Sequence, residues 1–203
     1  MSLPKIVVFD LGKVLVDFDY SIAAKRIAAR GSAPTEAIQK VFDHSPLMVQ
    51  YELGHLTTPQ MFEEIRKVSG FRGDLAELKG FFADIFPPIE PMVALHTEIR
   101  RRGFPACIFS NTNEIAVEHI RQNAFFAACQ KHVLSYEHGA MKPDARLYEV
   151  VEATTGIQGA DIVYIDDRPE NIETGMKRGW RCILHETPEK TRMEFVKLGL
   201  LKG

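Results

Sequence analysis

Residues 5–19, KIVVFDLGKVLVDFD, decide how the rest of the chain is read. The run Ile6-Val7-Val8-Phe9 is short, β-branched and uninterrupted rather than alternating, the pattern of a strand covered on both faces. It stops at a carboxylate. Asp10 therefore stands where a buried parallel strand emerges at its carboxyl end, the edge of an open α/β sheet at which ligands bind. Gly12 permits a sharp turn or a close backbone approach, and a second apolar run, Val14-Leu15-Val16, leads to Asp17 and Asp19.

Beyond this stretch the texture changes for about 70 residues. Ala23, Ala24, Ile27 and Ala28 recur at helical spacing, as do Met61, Phe62, Ile65 and Val68, with Pro34, Thr57-Thr58-Pro59, Gly70 and Gly73 as punctuation. Nothing here reads as a buried strand. The expectation is a helical unit at residues 18–88, inserted after the first strand into a core made of residues 1–17 and 89–203, with Pro87-Pro88 marking the return.

From there strands and helices alternate. A helix carrying Met92, Leu95 and Ile99 ends at Gly103, and the apolar run 104–109 closes on Ser110-Asn111-Thr112-Asn113. Strands follow at 132–135, 162–165 and 181–184, and Pro143 reads as the first residue of a helix with Leu147, Val150 and Val151 on one face. Five strands separated by helices predict an α/β fold, a doubly wound, parallel Rossmann-like sheet carrying an inserted all-helical cap.

Composition narrows the function classes. A chain of 203 residues with a net charge of -2 has no electrostatic footprint for nucleic acid, and its basic clusters, Arg100-Arg101-Arg102 and Lys177-Arg178, fall at predicted helix ends, where cations suit the dipole. Cys107, Cys129 and Cys182 have neither zinc-site nor disulfide spacing, and Cys107 and Cys182 sit within apolar runs as small buried hydrophobes. No stretch approaches the ~18 apolar residues of a membrane span and no signal-peptide pattern opens the chain, so a cytoplasmic protein is expected. The apolar helix faces of the insertion suit the core or a partner subunit alike.

The predicted strand ends carry groups suited to phosphate chemistry. Asp10 follows the first strand, Ser110 and Asn111 the second, and Asp166 and Asp167 the fourth, while Lys142 precedes Pro143. Parallel strands put their carboxyl ends on one edge, so these distant residues should converge. Three carboxylates around one point repel unless a cation sits among them, and an all-oxygen set suits Mg²⁺. One carboxylate can instead attack phosphorus. The Ser110 hydroxyl, backbone N–H groups and the Lys142 ammonium can hold equatorial oxygens in place.

FDLGKV, FSNTN, MKPDARLY and YIDDRPEN resemble the four motifs of the haloacid dehalogenase superfamily, most members of which are magnesium-dependent phosphatases. The resemblance spans nearly the whole chain, and is nearest to a group that includes bacterial α-glucose-1-phosphate phosphatases. It implies Asp10 as nucleophile, Ser110 and Asn111 as phosphate binders, and Lys142 as the neutralising cation. It also implies Mg²⁺ on Asp10, Asp166, Asp167 and the Gly12 carbonyl, with Asn171 supporting the loop, and a small phosphorylated metabolite, such as a sugar phosphate, as substrate.

One departure matters. Most phosphatases of that superfamily carry a second Asp two residues after the nucleophile as general acid and base, and this chain has Gly12. Such help is typically worth ~10²–10⁴-fold, about 3–5 kcal/mol. Three readings follow: a substrate with a good leaving group; a replacement donor among Lys13, Asp17, Asp19, Glu52 and His55; or a noncatalytic phospho-ligand binding protein. Metal-independent 2-haloacid dehalogenases also lack the second Asp and are the enzymatic rival.

Overall fold

The computed structural model describes residues 3–43 and 45–202. Ile6–Phe9 forms β1 at the centre of a five-stranded parallel sheet of order β3-β2-β1-β4-β5, in which β2 is Ala106–Ser110, β3 Lys131–Leu134, β4 Ile162–Asp166 and β5 Arg181–Leu184. Because strand side chains alternate, β1 sends Ile6 and Val8 into one apolar layer and Val7 and Phe9 into the other. All four are buried, which is why the run shows no polar alternation.

Residues 18–88 run through α1 (Tyr20–Ala28), α2 (Thr35–Phe42), α3 (Pro46–Glu52), α4 (Thr58–Ser69) and α5 (Leu75–Gly80), with no strand among the described residues. Side chains start α1 and α4: Asp19 accepts from Ser21 N at 2.9 Å, and Thr57 forms a capping box with Gln60. Gly70 ends α4 in the left-handed region, φ +65°. The buried face of α4 is Thr58, Met61, Phe62, Ile65 and Ser69, so Val68, read from the sequence as part of the apolar face, points outward. The insertion's apolar faces join the same buried cluster as Val7 and Phe9 of the sheet, which answers the choice between core and partner in favour of the core. The chain enters and leaves this region side by side: Asp17 N donates to Pro87 O at 2.8 Å and Ile89 N to Leu15 O at 2.9 Å.

After the insertion come α6 (Glu90–Arg101), α7 (Glu114–Ile120), α8 (Ala124–Ala128), α9 (Ser135–His138), α10 (Ala145–Thr155), α11 (Pro169–Lys177) and α12 (Pro188–Lys197). Buried residues of α6 and α12 pack on the Phe9 face, and those of α10 and α11 on the Val8 face. Two sequence expectations need correction. The helix expected at Pro143 begins at Ala145, because the Asp144 carboxylate caps it by accepting from Arg146 N at 2.9 Å, while the backbone of Lys142 is held by another side chain, described below. Cys182 is only partly buried, since β5 is an edge strand, whereas Cys107 in β2 is fully enclosed.

Candidate active site

The strand order reverses at β1: β2 and β3 lie to one side, β4 and β5 to the other. This switch point opens a crevice at the carboxyl ends of β1 and β4. Asp10 N continues the ladder, donating to Ile165 O at 3.0 Å, so the backbone fixes Asp10 beside Asp166, the last residue of β4. Ser110 ends β2 one strand away.

Lys142 joins these strands. Its ammonium lies 3.0 Å from Asp10 Oδ1 and 2.6 Å from Asp166 Oδ2, and donates to Phe109 O at 2.9 Å. The side chain is 1% exposed, between the rings of Phe109 (4.9 Å) and Tyr164 (5.7 Å). A buried ammonium in that setting persists because every neighbour is an acceptor or a π-face. Its backbone is gripped as well: Lys142 N donates to Asn111 Oδ1 at 2.7 Å, and Asn111 Nδ2 donates to Lys142 O at 2.9 Å. The Asn111 amide thus orients the lysine, while Asn111 still lines the cavity.

Asp166 is fully buried and tied on both oxygens. Oδ2 meets Lys142 and the Tyr164 hydroxyl, and Oδ1 accepts from Asn171 Nδ2 and Arg168 N, both at 2.9 Å. Burial pushes its pKa up, but the Lys142 charge and these hydrogen bonds outweigh that and hold it below the usual carboxylate range. Asp10 goes the other way: burial, with the Asp166 and Asp167 charges adding to it, outweighs Lys142 and lifts its pKa to about 7. Asp167 is raised by burial and by Asp166. Lys142 is raised because its two carboxylates overcome the cost of burying its charge.

One oxygen from each of Asp10, Asp166 and Asp167 falls within a 4.8 Å span. A single ammonium does not neutralise three carboxylates, and the surplus negative charge on hard oxygen donors fits a hard divalent cation. The residues present therefore suit Mg²⁺, with the Gly12 carbonyl on the adjoining loop.

These groups form the floor of a cavity of about 410 Å³. Ser110, Asn111, Thr112, Asp167, Arg168 and Asn171 line its sheet side, and Phe18, Tyr20, Phe42, Glu52 and Phe86 line the side made by the insertion and its return. All the residues singled out in the sequence as nucleophile, cation, phosphate binders and metal ligands, Asp10, Gly12, Ser110, Asn111, Lys142 and Asp167, line this cavity, and Asp166 lies buried immediately behind them. Of the suggested proton donors, Lys13 and Glu52 line it; Asp17, Asp19 and His55 do not. Lys13 is ion-paired to Asp17, Asp19 caps α1, and His55 is exposed against Gln50. Sequence reading missed Tyr164, Thr112 and Arg168. Arg168 directly follows Asp166-Asp167, and its place at that strand end was the available signal.

The corner beside Gly12 is occupied. A Cβ at position 12 would lie 2.9 Å from Cε1 of the Phe18 ring, so the space into which an aspartate at position 12 would project holds an aromatic side chain. Lys13 stacks over the same ring at 4.6 Å.

A carboxylate set and a buried ammonium thus stand together at the switch point of the parallel sheet, the edge at which open α/β folds bind ligands. The chain belongs to the haloacid dehalogenase-like hydrolase family, whose family model matches residues 4–177, and is a hydrolase. It is 21% identical over 198 residues to a D-ribitol-5-phosphate phosphatase of Bacteroides thetaiotaomicron, covering 94% of this chain and 96% of that one. It is 27% identical over 208 residues to a phosphatase of Mycobacterium tuberculosis, covering 94% and 91%. A solved haloacid dehalogenase family enzyme from Bacteroides thetaiotaomicron, in complex with magnesium and inorganic phosphate, superposes with a TM-score of 0.77 at 22% identity, covering 90% of this chain and 94% of that one. That last likeness is one of fold. Among the described residues no helix is long and apolar enough to cross a membrane.

Proposed function

We propose that the protein is a Mg²⁺-dependent phosphatase of small phosphorylated metabolites, with residues 1–17 and 89–203 as its catalytic unit and residues 18–88 as a cap. The observation that carries this reading is the Lys142 ammonium, 3.0 Å from Asp10 and 2.6 Å from Asp166, at the floor of a cavity with a third carboxylate beside it. A cavity of about 410 Å³ has the size of a small-molecule site.

Asp10 is the nucleophile. An oxygen of its carboxylate attacks phosphorus, the bond from phosphorus to the ester oxygen breaks, and an aspartyl phosphate forms that water then hydrolyses. Lys142 opposes the rise that burial imposes on the Asp10 pKa and offsets charge on the phosphoryl group, Ser110 donates to a phosphoryl oxygen, and Asn111 fixes Lys142 in place. Asp10, Asp166, Asp167 and the Gly12 carbonyl would hold Mg²⁺, which supplies positive charge to the phosphoryl oxygens. Two relatives named as phosphatases, one of them for the phosphate of a sugar alcohol, support a polyol or sugar phosphate as substrate.

The test is phosphate release from p-nitrophenyl phosphate and a panel of phosphometabolites. Turnover is expected with Mg²⁺, is stopped by EDTA and is abolished in Asp10→Asn. Halide release from 2-haloacids in EDTA would make the protein a dehalogenase instead. A phosphate-dependent rise in unfolding temperature without turnover of any ester would make it a binding protein.

A further inference from the structure

Resting on the phosphatase reading, we infer that Glu52, reaching the cavity from the end of α3 in the insertion, is the proton donor and acceptor that replaces the acid absent at position 12. The Phe18 ring fills the space beside Gly12, so no carboxylate on the nucleophile's own loop reaches the leaving group from there.

Among the described residues, the titratable and charged groups lining the cavity are Asp10, Lys13, Tyr20, Asp43, Glu52, Lys142, Asp167 and Arg168. Asp10, Lys142 and Asp167 belong to the nucleophile and metal set. Lys13 is engaged by Asp17 and by Phe18 O at 3.2 Å. Asp43 is exposed and accepts from Gln39 Nε2 at 2.8 Å. Tyr20 is bonded to the Asn113 side chain and held far above neutrality by burial. Arg168 is paired with Glu170, its Nε donating to Glu170 Oε1 at 2.8 Å. Glu52 remains: partly buried, with the Arg168 charge nearby and no hydrogen-bond partner for its carboxyl among the described residues. Burial, partly opposed by Arg168, lifts it from 4.5 to about 7, where a carboxyl both gives and takes a proton near neutrality.

Glu52 is also fixed against the phosphate side of the cavity by its main chain. Ser135 Oγ lies 2.7 Å from Glu52 O, accepts from Thr112 N at 2.9 Å and lies 3.0 Å from Thr112 O. Thr112 is two residues beyond Ser110. The turn that follows sits so close that a Cβ on Gly54, φ +71°, would be 2.0 Å from Tyr136 O. On the other flank, Ile115 N donates to the Tyr51 hydroxyl at 3.3 Å. The carboxyl of Glu52 is thus carried by backbone registered to the residues that would bind phosphate.

The proton balance is complete. As the ester bond to phosphorus breaks, the leaving oxygen takes the proton of neutral Glu52, giving alcohol, aspartyl phosphate and the Glu52 carboxylate. Water then attacks phosphorus, its proton passes to Glu52, and the phosphorus bond to Asp10 breaks, giving inorganic phosphate and restoring both side chains.

The experiment compares wild type, Glu52→Gln and Glu52→Asp on substituted phenyl phosphates that differ in the acidity of the phenol but little in shape. The parameter kcat/KM covers the steps through loss of the phenol. Glu52→Gln should lower it ~10²-fold at the phenyl end and far less at the p-nitrophenyl end, so dependence on leaving-group acidity steepens. The p-nitrophenyl ester should then show a burst of nitrophenolate, because hydrolysis of the aspartyl phosphate has lost its base. Glu52→Asp should fall between the two. A loss equal across the series, or none, would overturn the proposal while leaving the phosphatase reading standing. A wild-type protein that hydrolyses none of the series would remove both.

Discussion

Asp10→Asn should make the metal-free protein more stable while abolishing turnover. With its pKa raised from the usual 3.8 to about 7, the folded protein holds the Asp10 proton more tightly than the unfolded chain does. The associated stability is fully present below about pH 4, drains away as pH rises, and is gone above about pH 7. At about 1.4 kcal/mol per pH unit the loss reaches about 4 kcal/mol, an upper bound because Lys142, Asp166 and Asp167 titrate in the same field. Asparagine keeps the oxygen that accepts from Leu11 N at 2.7 Å and faces Lys142 at 3.0 Å, and removes only the charge that burial, Asp166 and Asp167 disfavour. At about 2–4 °C per kcal/mol for a chain of this size, the variant should melt up to about 8–16 °C above wild type at about pH 8 in EDTA. The gap should shrink by more than half at about pH 5. Thermal unfolding followed by circular dichroism at the two pH values reads this directly. A variant less stable than wild type at the higher pH, or a gap that does not change with pH, would refute the electrostatic account of the site.

Lys142→Met should abolish turnover and cost about 3–5 kcal/mol, because it leaves Asp10 and Asp166 buried without their shared cation; a denaturant midpoint reads it. Adding Mg²⁺ to metal-free wild type should raise the unfolding temperature, more at pH 8 than at pH 5 since the ligands must be ionised, and should do so less in Asp167→Asn; a melt across a Mg²⁺ titration checks both. Gly12→Asp should destabilise by about 1–3 kcal/mol, because the new Cβ meets the Phe18 ring at 2.9 Å, and Phe18→Ala in the same chain should relieve part of that loss; a double-mutant cycle of unfolding free energies measures the coupling. Ser135→Ala should cost about 1–3 kcal/mol by leaving the Thr112 N–H without its acceptor, and should slow hydrolysis of poor leaving groups more than good ones; denaturation and kcat/KM measured together test this.

The floor of the site was legible in the sequence for a geometric reason. Buried parallel strands announce themselves as uninterrupted apolar runs, and every such run ends on the same edge, so Asp10, Ser110 and Asp166 needed only their positions at run ends to be brought together. Lys142 lies on no strand, and was placed by chemistry rather than by periodicity. What carries it there is the Asn111 amide gripping its backbone on both sides, a tertiary contact between residues 31 apart that no local pattern contains. The same cause explains the misplaced helix start. Proline suits a first helical turn, but the backbone at 142 was already committed to Asn111, so the helix had to begin later, at the Asp144 cap.

The upper side of the site is written differently. Glu52 sits in Tyr51-Glu52-Leu53-Gly54-His55, whose local signal is an ordinary helix end and turn, and in sequence His55 is as plausible a proton carrier as Glu52. The two part company only once the segment docks: Ser135 and the close approach at Gly54 set the backbone, α3 then turns residue 52 toward the cavity, and residue 55 is left in solvent beside Gln50. Phe18 follows the same logic from the other direction, since its ring lies where a side chain at position 12 would go only because the chain bends back after Val16 to run alongside Pro88. A glycine at 12 and an aromatic at 18 are therefore one feature: the loop that gives up a carboxylate at 12 is closed by the ring, and the proton-carrying group has to come from whatever else the fold presses against that cavity, which is the carboxyl at the end of α3.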